Sequence, residues 1–265
     1  MEAALLGAFM LSACIFGSLL EHPSSPVRQA VKNAVVRRAV MGLAMGWTAV
    51  GLIYSPWGQQ SGAHMNPATT LTFLWLGKVA PWDAFFYVAA QCIGGILGVV
   101  VAKAGLREWL QHSAVNYVVT TPGPWGPAMA WFAELTIAFL MMFMVLSVTN
   151  RRALAPYTGW IAGALLAAYI TIEAPLSGMS LNPARTLGSA VPARVWKGFW
   201  IYVTAPVFGM FFASVAYAHL PGRHEVYCAK LDHCNQRRCI FRCGYCERPE
   251  SSPAASRTTA APISE

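Results

Sequence analysis

Two short segments in the apolar part of this chain contain residues whose types and spacing are suited to binding a solute. Residues 61–71 and 177–187 are identical at seven of eleven aligned positions, and each contains an Asn-Pro-Ala motif. The two motifs are Asn66-Pro67-Ala68 and Asn182-Pro183-Ala184. Asparagine is a preferred helix N-cap and proline a preferred first helical residue. Each motif therefore predicts a helix start whose free N–H groups, partial positive charge and asparagine NH₂ group offer donors to a neutral solute.

A charged residue distinguishes the two segments. Arg185 follows the second motif directly, whereas uncharged Thr69 follows the first. A permanent cation inside an apolar region is costly and usually functional, and the alternative is an arginine that extends from a helix end to the membrane surface. A single Asn-Pro would indicate an ordinary loop turn, but two copies at matching places favour a paired site. The segments together predict a pore whose fixed cation is Arg185.

The rest of the chain is apolar enough to place these motifs in a membrane. Of its 265 residues, 56% are hydrophobic and 11% are charged, which disfavours a soluble globular protein. About 20 apolar residues cross the hydrocarbon core as a helix. Six stretches are close to this length, at residues 3–20, 39–57, 84–102, 127–149, 153–172 and 198–218. The first follows Met1-Glu2 without a basic leader, so we expect a retained helix rather than a cleaved signal.

The positions of the motifs predict an inverted repeat. Each motif follows the second span of a three-span half, with the halves at residues 1–105 and 127–220. Because three is odd, the second half enters the membrane from the opposite face. The apolar runs after the motifs, residues 69–76 and 186–191, are too short to cross the membrane. We therefore predict an all-α membrane protein with six transmembrane helices and two re-entrant half-helices that meet near the midplane.

Each half begins with a span that carries a lone carboxylate, Glu2 in the first half and Glu134 in the second. A buried carboxylate is tolerated when it accepts hydrogen bonds, and the loops around the half-helices carry backbone N–H groups that need acceptors. We assign Glu2, Glu134 and the loop residue His64 a structural role. Proton coupling by the two glutamates is the alternative.

These features resemble the aquaporin, or major intrinsic protein, family over residues 1–220. The resemblance rests on the segments around both motifs, the arginine after the second, the two glutamates, and Ala-Gln-Cys-Ile-Gly-Gly at residues 90–95. It implies an hourglass pore in each subunit of a homotetramer and no cofactor. It also implies passive flow of water or small neutral solutes such as glycerol, ammonia or peroxide through a multi-pass protein of the plasma (inner) membrane.

The resemblance also places the outer constriction that selects solutes in this family. The corresponding residues are Arg185, Met179, Ile170 and Gly46, with Met45 in place of Gly46 if one loop differs by a residue. Strict water channels typically have histidine where this chain has Ile170 and an aromatic residue at the Gly46 position. Glycerol channels usually have aspartate directly after the arginine, where this chain has Thr186. The resemblance therefore implies a wider, more apolar constriction that passes water and a small neutral solute.

The formal net charge of +8 comes from cations scattered over loops and the C-terminal tail. This distribution favours attraction to anionic lipid head groups over nucleic-acid binding. The basic loop after the first span lies opposite the loop that contains Arg151 and Arg152. The positive-inside rule therefore leaves the orientation of the chain open.

Residues 221–265 form a polar tail that holds five of the seven cysteines. Residues 243–246 have the Cys-x-x-Cys spacing of metal ligands, although the whole set matches no standard zinc motif. The candidate zinc ligands are Cys234, Cys239, Cys243 and Cys246. Reduced cysteines without a role, or disulfides in an oxidising compartment, are the alternatives. We expect the low-complexity end of the tail, about the last fifteen residues, to be disordered.

Two other functions fit parts of the sequence. A secondary transporter also uses inverted repeats and broken helices, but its coupling groups would have to be found among very few ionisable residues in the spans. A membrane-tethered metal or redox sensor could act through the tail. No nucleophile triad, paired carboxylates or His-Glu-x-x-His set indicates an enzyme.

Overall fold

The computed structural model describes residues 1–220, 225–233 and 235–245, and the regular secondary structure of these residues is entirely helical. Six helices are long and apolar enough to cross a membrane. They are α1 (Glu2–Glu21), α3 (Ala34–Ile53), α6 (Pro81–Leu106), α8 (Gly126–Thr149), α9 (Thr158–Ile172, extended to span length by the turn Ala155–Tyr157) and α12 (Phe199–Ala218). The predicted six-span, all-α architecture is confirmed.

Six shorter α-helices and a 3₁₀ turn at Asn116–Val118 complete the described part of the fold. Two are the half-helices α5 (Pro67–Trp75) and α11 (Pro183–Ala193), which begin at the prolines of the two motifs. The others are α2 (Pro26–Ala30), α4 (Pro56–Ser61), α7 (Glu108–Gln111) and α10 (Ala174–Ser177). The half-helices are 9 and 11 residues long, which is about 14–17 Å of helix and too short to span a bilayer.

The helices pack in the same way in the two halves. In each half the first span packs on the third, α1 on α6 and α8 on α12, and the second spans α3 and α9 pack on each other. Each half-helix packs on the third span of the other half, α5 on α12 and α11 on α6. The halves therefore interlock, and each one fixes the half-helix of the other.

Glycines allow the paired spans to touch along their backbones. A Cβ on Gly94 of α6 would lie 2.1 Å from the Ala3 carbonyl oxygen of α1, and one on Gly98 would lie 2.3 Å from that of Gly7. In the second half, a Cβ on Gly209 of α12 would lie 2.4 Å from the Leu135 carbonyl oxygen of α8. Larger residues would separate the spans, because a carbon atom cannot approach an oxygen this closely. Small residues are the usual means of close packing between membrane helices.

The described residues of the tail, 225–233 and 235–245, contain no helix or strand and fold back onto the helical domain. We call them the tail segment. Val226, Ala229 and Leu231 are buried in the same apolar cluster as Ala63 and Met142 of the helical domain. The tail segment is thus packed against the membrane domain in spite of its polar composition. The final residues, for which disorder was predicted, lie outside the described residues.

Candidate pore and its covered mouth

The loops that lead into the two half-helices have matching backbone conformations. Each contains a glycine with positive φ, Gly62 at 89° and Gly178 at 82°. The following residue and the third one after the glycine also have positive φ: 55° and 48° at Ala63 and Met65, and 49° and 62° at Met179 and Leu181. A non-glycine residue in this region costs about 1–2 kcal/mol. The surrounding structure must therefore hold four strained residues, two in each loop.

Glu2 holds the first loop. Its Oε1 accepts hydrogen bonds from the Ser61 hydroxyl at 2.7 Å and the His64 N–H at 3.2 Å. Its Oε2 accepts from the Met65 N–H at 2.6 Å and the Gln91 amide at 2.8 Å. The carboxylate is only 3% exposed. These four bonds satisfy a buried charge and fix the backbone that the left-handed residues would otherwise destabilise.

Glu134 holds the second loop in the same manner. Its Oε1 accepts from the Ser177 hydroxyl and the Ser180 N–H, both at 2.6 Å, and its Oε2 accepts from the Leu181 N–H at 2.7 Å. The residue is fully buried. A tyrosine on the third span of each half adds a further matched contact, because Tyr87 and Tyr202 donate to the carbonyl oxygens of Ser61 and Ser177.

The two motif asparagines cap their helices and bind the opposite loop. Asn66 Oδ1 accepts from the Ala68 N–H at 2.9 Å, and Asn182 Oδ1 accepts from the Ala184 and Arg185 N–H groups at 3.0 and 3.2 Å. The Asn66 amide donates to the Leu181 carbonyl at 2.8 Å, and the Asn182 amide donates to the Met65 carbonyl at 2.6 Å. Each NH₂ group keeps a second proton for another acceptor. The left-handed conformation of Met65 and Leu181 therefore turns their carbonyl groups toward the asparagine of the opposite half-helix. These two hydrogen bonds join the half-helices at their N-terminal ends.

Two cavities meet at this junction. One, of about 230 Å³, lies on the side from which the second motif enters. The other, of about 120 Å³, is lined by both motif asparagines and lies on the side where α1 begins. We call these sides the second-motif and first-motif sides. Both cavities are lined by Phe9, Leu166, Ser180 and Arg185.

Arg185 is the charged group at the boundary between the cavities. Its Nη1 atom is buried and has no hydrogen-bond partner among the described residues. The Arg185 side chain lines both cavities, where a guanidinium can bind the oxygen of a solute and repels cations. Its counterpart Thr69 lies in the first-motif cavity and donates to the sulfur of Met210 at 3.5 Å.

Three of the four predicted constriction residues line the second-motif cavity, namely Arg185, Met179 and Ile170. Gly46 lines neither of the two cavities, and this assignment needs correction. A Cβ on Gly46 would lie 2.5 Å from the Gly163 carbonyl oxygen, so this face of α3 packs on α9. Its neighbour Met45, the alternative allowed by a one-residue loop difference, is buried and lines the cavity. Motif counting cannot resolve this choice, because adjacent residues of a helix point about 100° apart.

Comparison with known proteins agrees with this geometry. The family model of the major intrinsic protein matches residues 3–217. The chain belongs to that family. Aquaporin NIP2-3 of Zea mays is 36% identical over 79% of this chain and 67% of that protein. Putative aquaporin NIP4-1 of Arabidopsis thaliana is 36% identical over 66% of this chain, and the match spans 61% of that relative's own length.

A solved structure shows the same fold. The aquaglyceroporin from Plasmodium falciparum superposes with a TM-score of 0.66 at 18% identity, covering 82% of this chain and 94% of that one. At this identity the likeness establishes the fold alone. Together with the six apolar helices and the family match, it makes this member of the major intrinsic protein family an integral, multi-pass membrane protein.

The tail segment lies beyond the family match and covers the first-motif mouth. The Ala229 carbonyl oxygen accepts a hydrogen bond from His64 Nε2 at 2.8 Å, and the Leu231 N–H donates to the Gly62 carbonyl at 3.2 Å. Phe241 stacks on the His64 ring with centroids 5.4 Å apart and planes 5° apart. Leu231 is 7% exposed and forms part of the wall of the first-motif cavity. Sequence reasoning missed this contact, since composition gave the tail no partner.

The tail segment also brings cysteines together. Cys239 and Cys243, two of the predicted zinc ligands, lie beside Cys228 and His233. The other two predicted ligands, Cys234 and Cys246, lie outside the described residues. The five cysteines that the structure does describe are all free of disulfide bonds. Cys228 and His233 could have been found only from the fold of the segment, because their spacing from Cys239 is that of no standard motif.

Proposed function

We propose that this chain is a passive channel that conducts water and a small neutral solute across a membrane. The observation that carries the proposal is the junction itself. Two capped half-helices meet between two cavities, and Arg185 lines both cavities and carries a buried Nη1 without a hydrogen-bond partner among the described residues. The names of the relatives, two aquaporins and an aquaglyceroporin, support the same class of activity.

The charges at the junction suit neutral solutes. Each half-helix presents its N-terminal end, with about half a positive charge, toward the point where the asparagines meet. Arg185 adds a full positive charge. Cations would be repelled by all three groups, while a neutral solute can accept hydrogen bonds from the asparagine amides and the guanidinium. A water molecule that accepts such bonds is also poorly oriented to relay a proton.

The engagement of the two glutamates favours passive flow over coupled transport. Both oxygens of Glu2 and of Glu134 accept hydrogen bonds that hold the loops. Protonating either carboxyl group during a transport cycle would remove acceptors from strained backbone. These residues therefore fit a static scaffold better than a proton-coupling site, which is what a secondary transporter would require.

The lining of the second-motif cavity points to a permeant larger than water alone. Met45, Met179 and Ile170 contribute flexible or apolar side chains beside Arg185. We infer a constriction that is mostly apolar with one cationic edge, which admits water and a compact neutral solute with apolar and polar faces. We also propose a homotetramer in the plasma (inner) membrane, on the strength of the family alone.

Stopped-flow light scattering on liposomes that contain the full chain tests the function, with empty liposomes as the control. A metal chelator in the buffer would remove any metal ion bound by the tail cysteines, so that a metal-bound tail segment does not block the first-motif mouth. We expect water flux together with entry of at least one of glycerol, urea, ammonia or peroxide. Water flux alone would contradict the broader permeant, and flux that saturates or follows a pH gradient would favour a transporter. Native mass spectrometry of the purified protein tests the tetramer.

A further inference from the structure

Four side chains of the tail segment surround a single point. The ligand atoms of Cys228, His233, Cys239 and Cys243 all lie within 4.8 Å of one another. Two of these separations are 3.4 Å between the Cys228 and Cys239 sulfurs and 3.0 Å between His233 Nε2 and the Cys243 sulfur. In a tetrahedral zinc site, bonds of about 2.3 Å to sulfur place the sulfurs about 3.8 Å apart. The four atoms therefore already match the size of a zinc coordination shell.

We propose that Cys228, His233, Cys239 and Cys243 bind one Zn²⁺ ion, and that the bound ion holds the tail segment over the first-motif mouth and closes it. Three thiolates and one imidazole form a closed tetrahedral set with no open position for a substrate. This is a structural donor set, and thiolate ligands favour zinc over the harder divalent cations. The ion would thus stabilise the conformation of the tail segment and take no part in a chemical reaction.

The backbone beside one of the cysteines is placed to stabilise a thiolate. The N–H of Tyr245 donates to the Cys243 sulfur at 3.4 Å. Hydrogen bonds to metal-bound sulfur fix the ligand and lower the cost of its negative charge. The His233 ring is in turn stacked on Tyr245, with centroids 4.4 Å apart.

The tail segment also needs a cross-link to hold its shape. It has no helix or strand among its described residues, and a chain of this length cannot bury enough apolar area to fold alone. A metal ion joins distant parts of such a segment, and in small zinc domains the binding free energy is the folding free energy. Besides the ligand Cys228, the buried apolar residues of the segment are Val226, Ala229 and Leu231, which pack on the channel.

The ligands bracket the residues that contact the pore loop. Ala229 and Leu231, which bind His64 and Gly62, lie between the ligands Cys228 and His233. Phe241, which stacks on His64, lies between Cys239 and Cys243. Fixing the four ligands to one ion therefore fixes both contacts at once. Without the ion, the segment loses the cross-link between them and Leu231 can leave the cavity wall.

Metal analysis of the purified full chain tests the site without reference to transport. We expect about one zinc ion per chain after exposure to Zn²⁺ and dialysis, and a loss of nearly all of it in Cys239→Ser and Cys243→Ser. Cys92→Ser, which changes a cysteine within α6, is the matched control and keeps its zinc. Cobalt substitution gives the visible absorption of tetrahedral cobalt thiolate only if the thiols bind the metal. Absence of bound zinc in reduced, folded wild-type protein, or a Cys228–Cys239 disulfide in wild-type protein purified without reductant, would overturn the site.

Hydrogen exchange measured by mass spectrometry tests the seating of the tail. We expect zinc to slow exchange in the peptides that contain Ala229, Leu231 and Phe241, and in the loop at His64. The same peptides of Cys239→Ser should exchange at one rate with and without zinc. Zinc that binds without slowing exchange at His64 would overturn the closure while leaving the metal site intact.

The closure of the pore rests on the proposed function, and its test keeps the two apart. Liposomes that contain the wild-type chain should show several-fold lower water flux with zinc than with chelator, and Cys239→Ser liposomes should show equal and high flux in both. Equal flux in the wild type would overturn the closure. Flux no higher than that of empty liposomes in every state, including Cys239→Ser, would reject the channel function and with it the closure, while the zinc content still decides the metal site.

Discussion

The two halves of the helical domain share one scaffold and differ in what each adds to it. In both, a carboxylate from the first span holds a loop with left-handed residues, and an asparagine caps the half-helix and binds the opposite loop. The second half adds Arg185 and opens on a cavity of about 230 Å³. The first half has Thr69 instead, and its mouth lies under the tail segment. The shared parts are those that build a pore.

The difference between the shared and the added residues indicates which residues can change without loss of the fold. The scaffold residues are buried and satisfy backbone groups, so a change in either half should cost stability. Arg185, Met45 and Leu231 face the cavities and satisfy no backbone of the half-helices. Changes there should alter which solutes pass and when, with the fold intact. Solute selection by Arg185 and Met45 and closure by Leu231 of the tail segment can therefore lie at opposite ends of one symmetric scaffold.

The largest expected effect comes from removing a carboxylate. Glu134→Ala leaves the Ser180 and Leu181 N–H groups and the Ser177 hydroxyl without an acceptor, and each buried, unpaired donor costs about 1–3 kcal/mol. We expect loss of most folded protein in size-exclusion chromatography. Glu2→Ala should behave alike if the halves are equivalent, and Glu108→Ala, at an exposed glutamate, should have no effect. Unchanged thermal stability in Glu134→Ala would refute the shared scaffold.

The next effect tests the charge that only the second half carries. At an effective dielectric constant of about 20, two unit charges about 4 Å apart repel by about 4 kcal/mol. We therefore expect Arg185→Val to raise the leak of cations or protons through liposomes about tenfold or more. Lys197→Val removes an exposed cation from the same side and should change nothing. A tight Arg185→Val channel would show that the half-helix ends suffice to exclude cations.

A smaller effect separates Met45 from Gly46. Met45 lines the second-motif cavity, so Met45→Ala should raise entry of the bulkier solutes glycerol and urea several-fold relative to water. Gly46→Ala places a carbon 2.5 Å from the Gly163 carbonyl oxygen. It should lower the thermal midpoint by separating α3 from α9 and leave solute preference unaltered. The reverse pattern would return Gly46 to the constriction.

The smallest effect concerns the first-motif mouth. Leu231→Ala shortens the side chain that forms part of the cavity wall but leaves all four proposed zinc ligands in place. We expect a modest rise in water flux of the zinc-loaded protein with no change in zinc content. Ile240→Ala, at an exposed position of the same segment, is the control. Identical flux in the two variants would show that Leu231 does not obstruct the pore.

The six spans, the two half-helices and the pairing of the motifs could all be predicted from the sequence. These features follow from hydropathy over fixed lengths and from the local preference of Asn-Pro for helix starts, neither of which needs distant contacts. The same reasoning placed Glu2, Glu134 and Arg185 near the motifs, because a repeat aligns them.

Two features depend on the tertiary structure: which residues of a span face the cavities, and where the tail segment packs. Met45 and Gly46 are adjacent residues of one span, so composition and hydropathy do not show which of them faces the cavity. The packing of α3 on α9 determines this. The cysteines of the tail segment are separated by irregular intervals, and no local pattern predicts that Cys228 and His233 meet Cys239 and Cys243. That meeting depends on the segment folding against His64 and Gly62, more than 160 residues away in the chain. Contacts over such distances depend on the whole packed fold, which local sequence preferences do not encode.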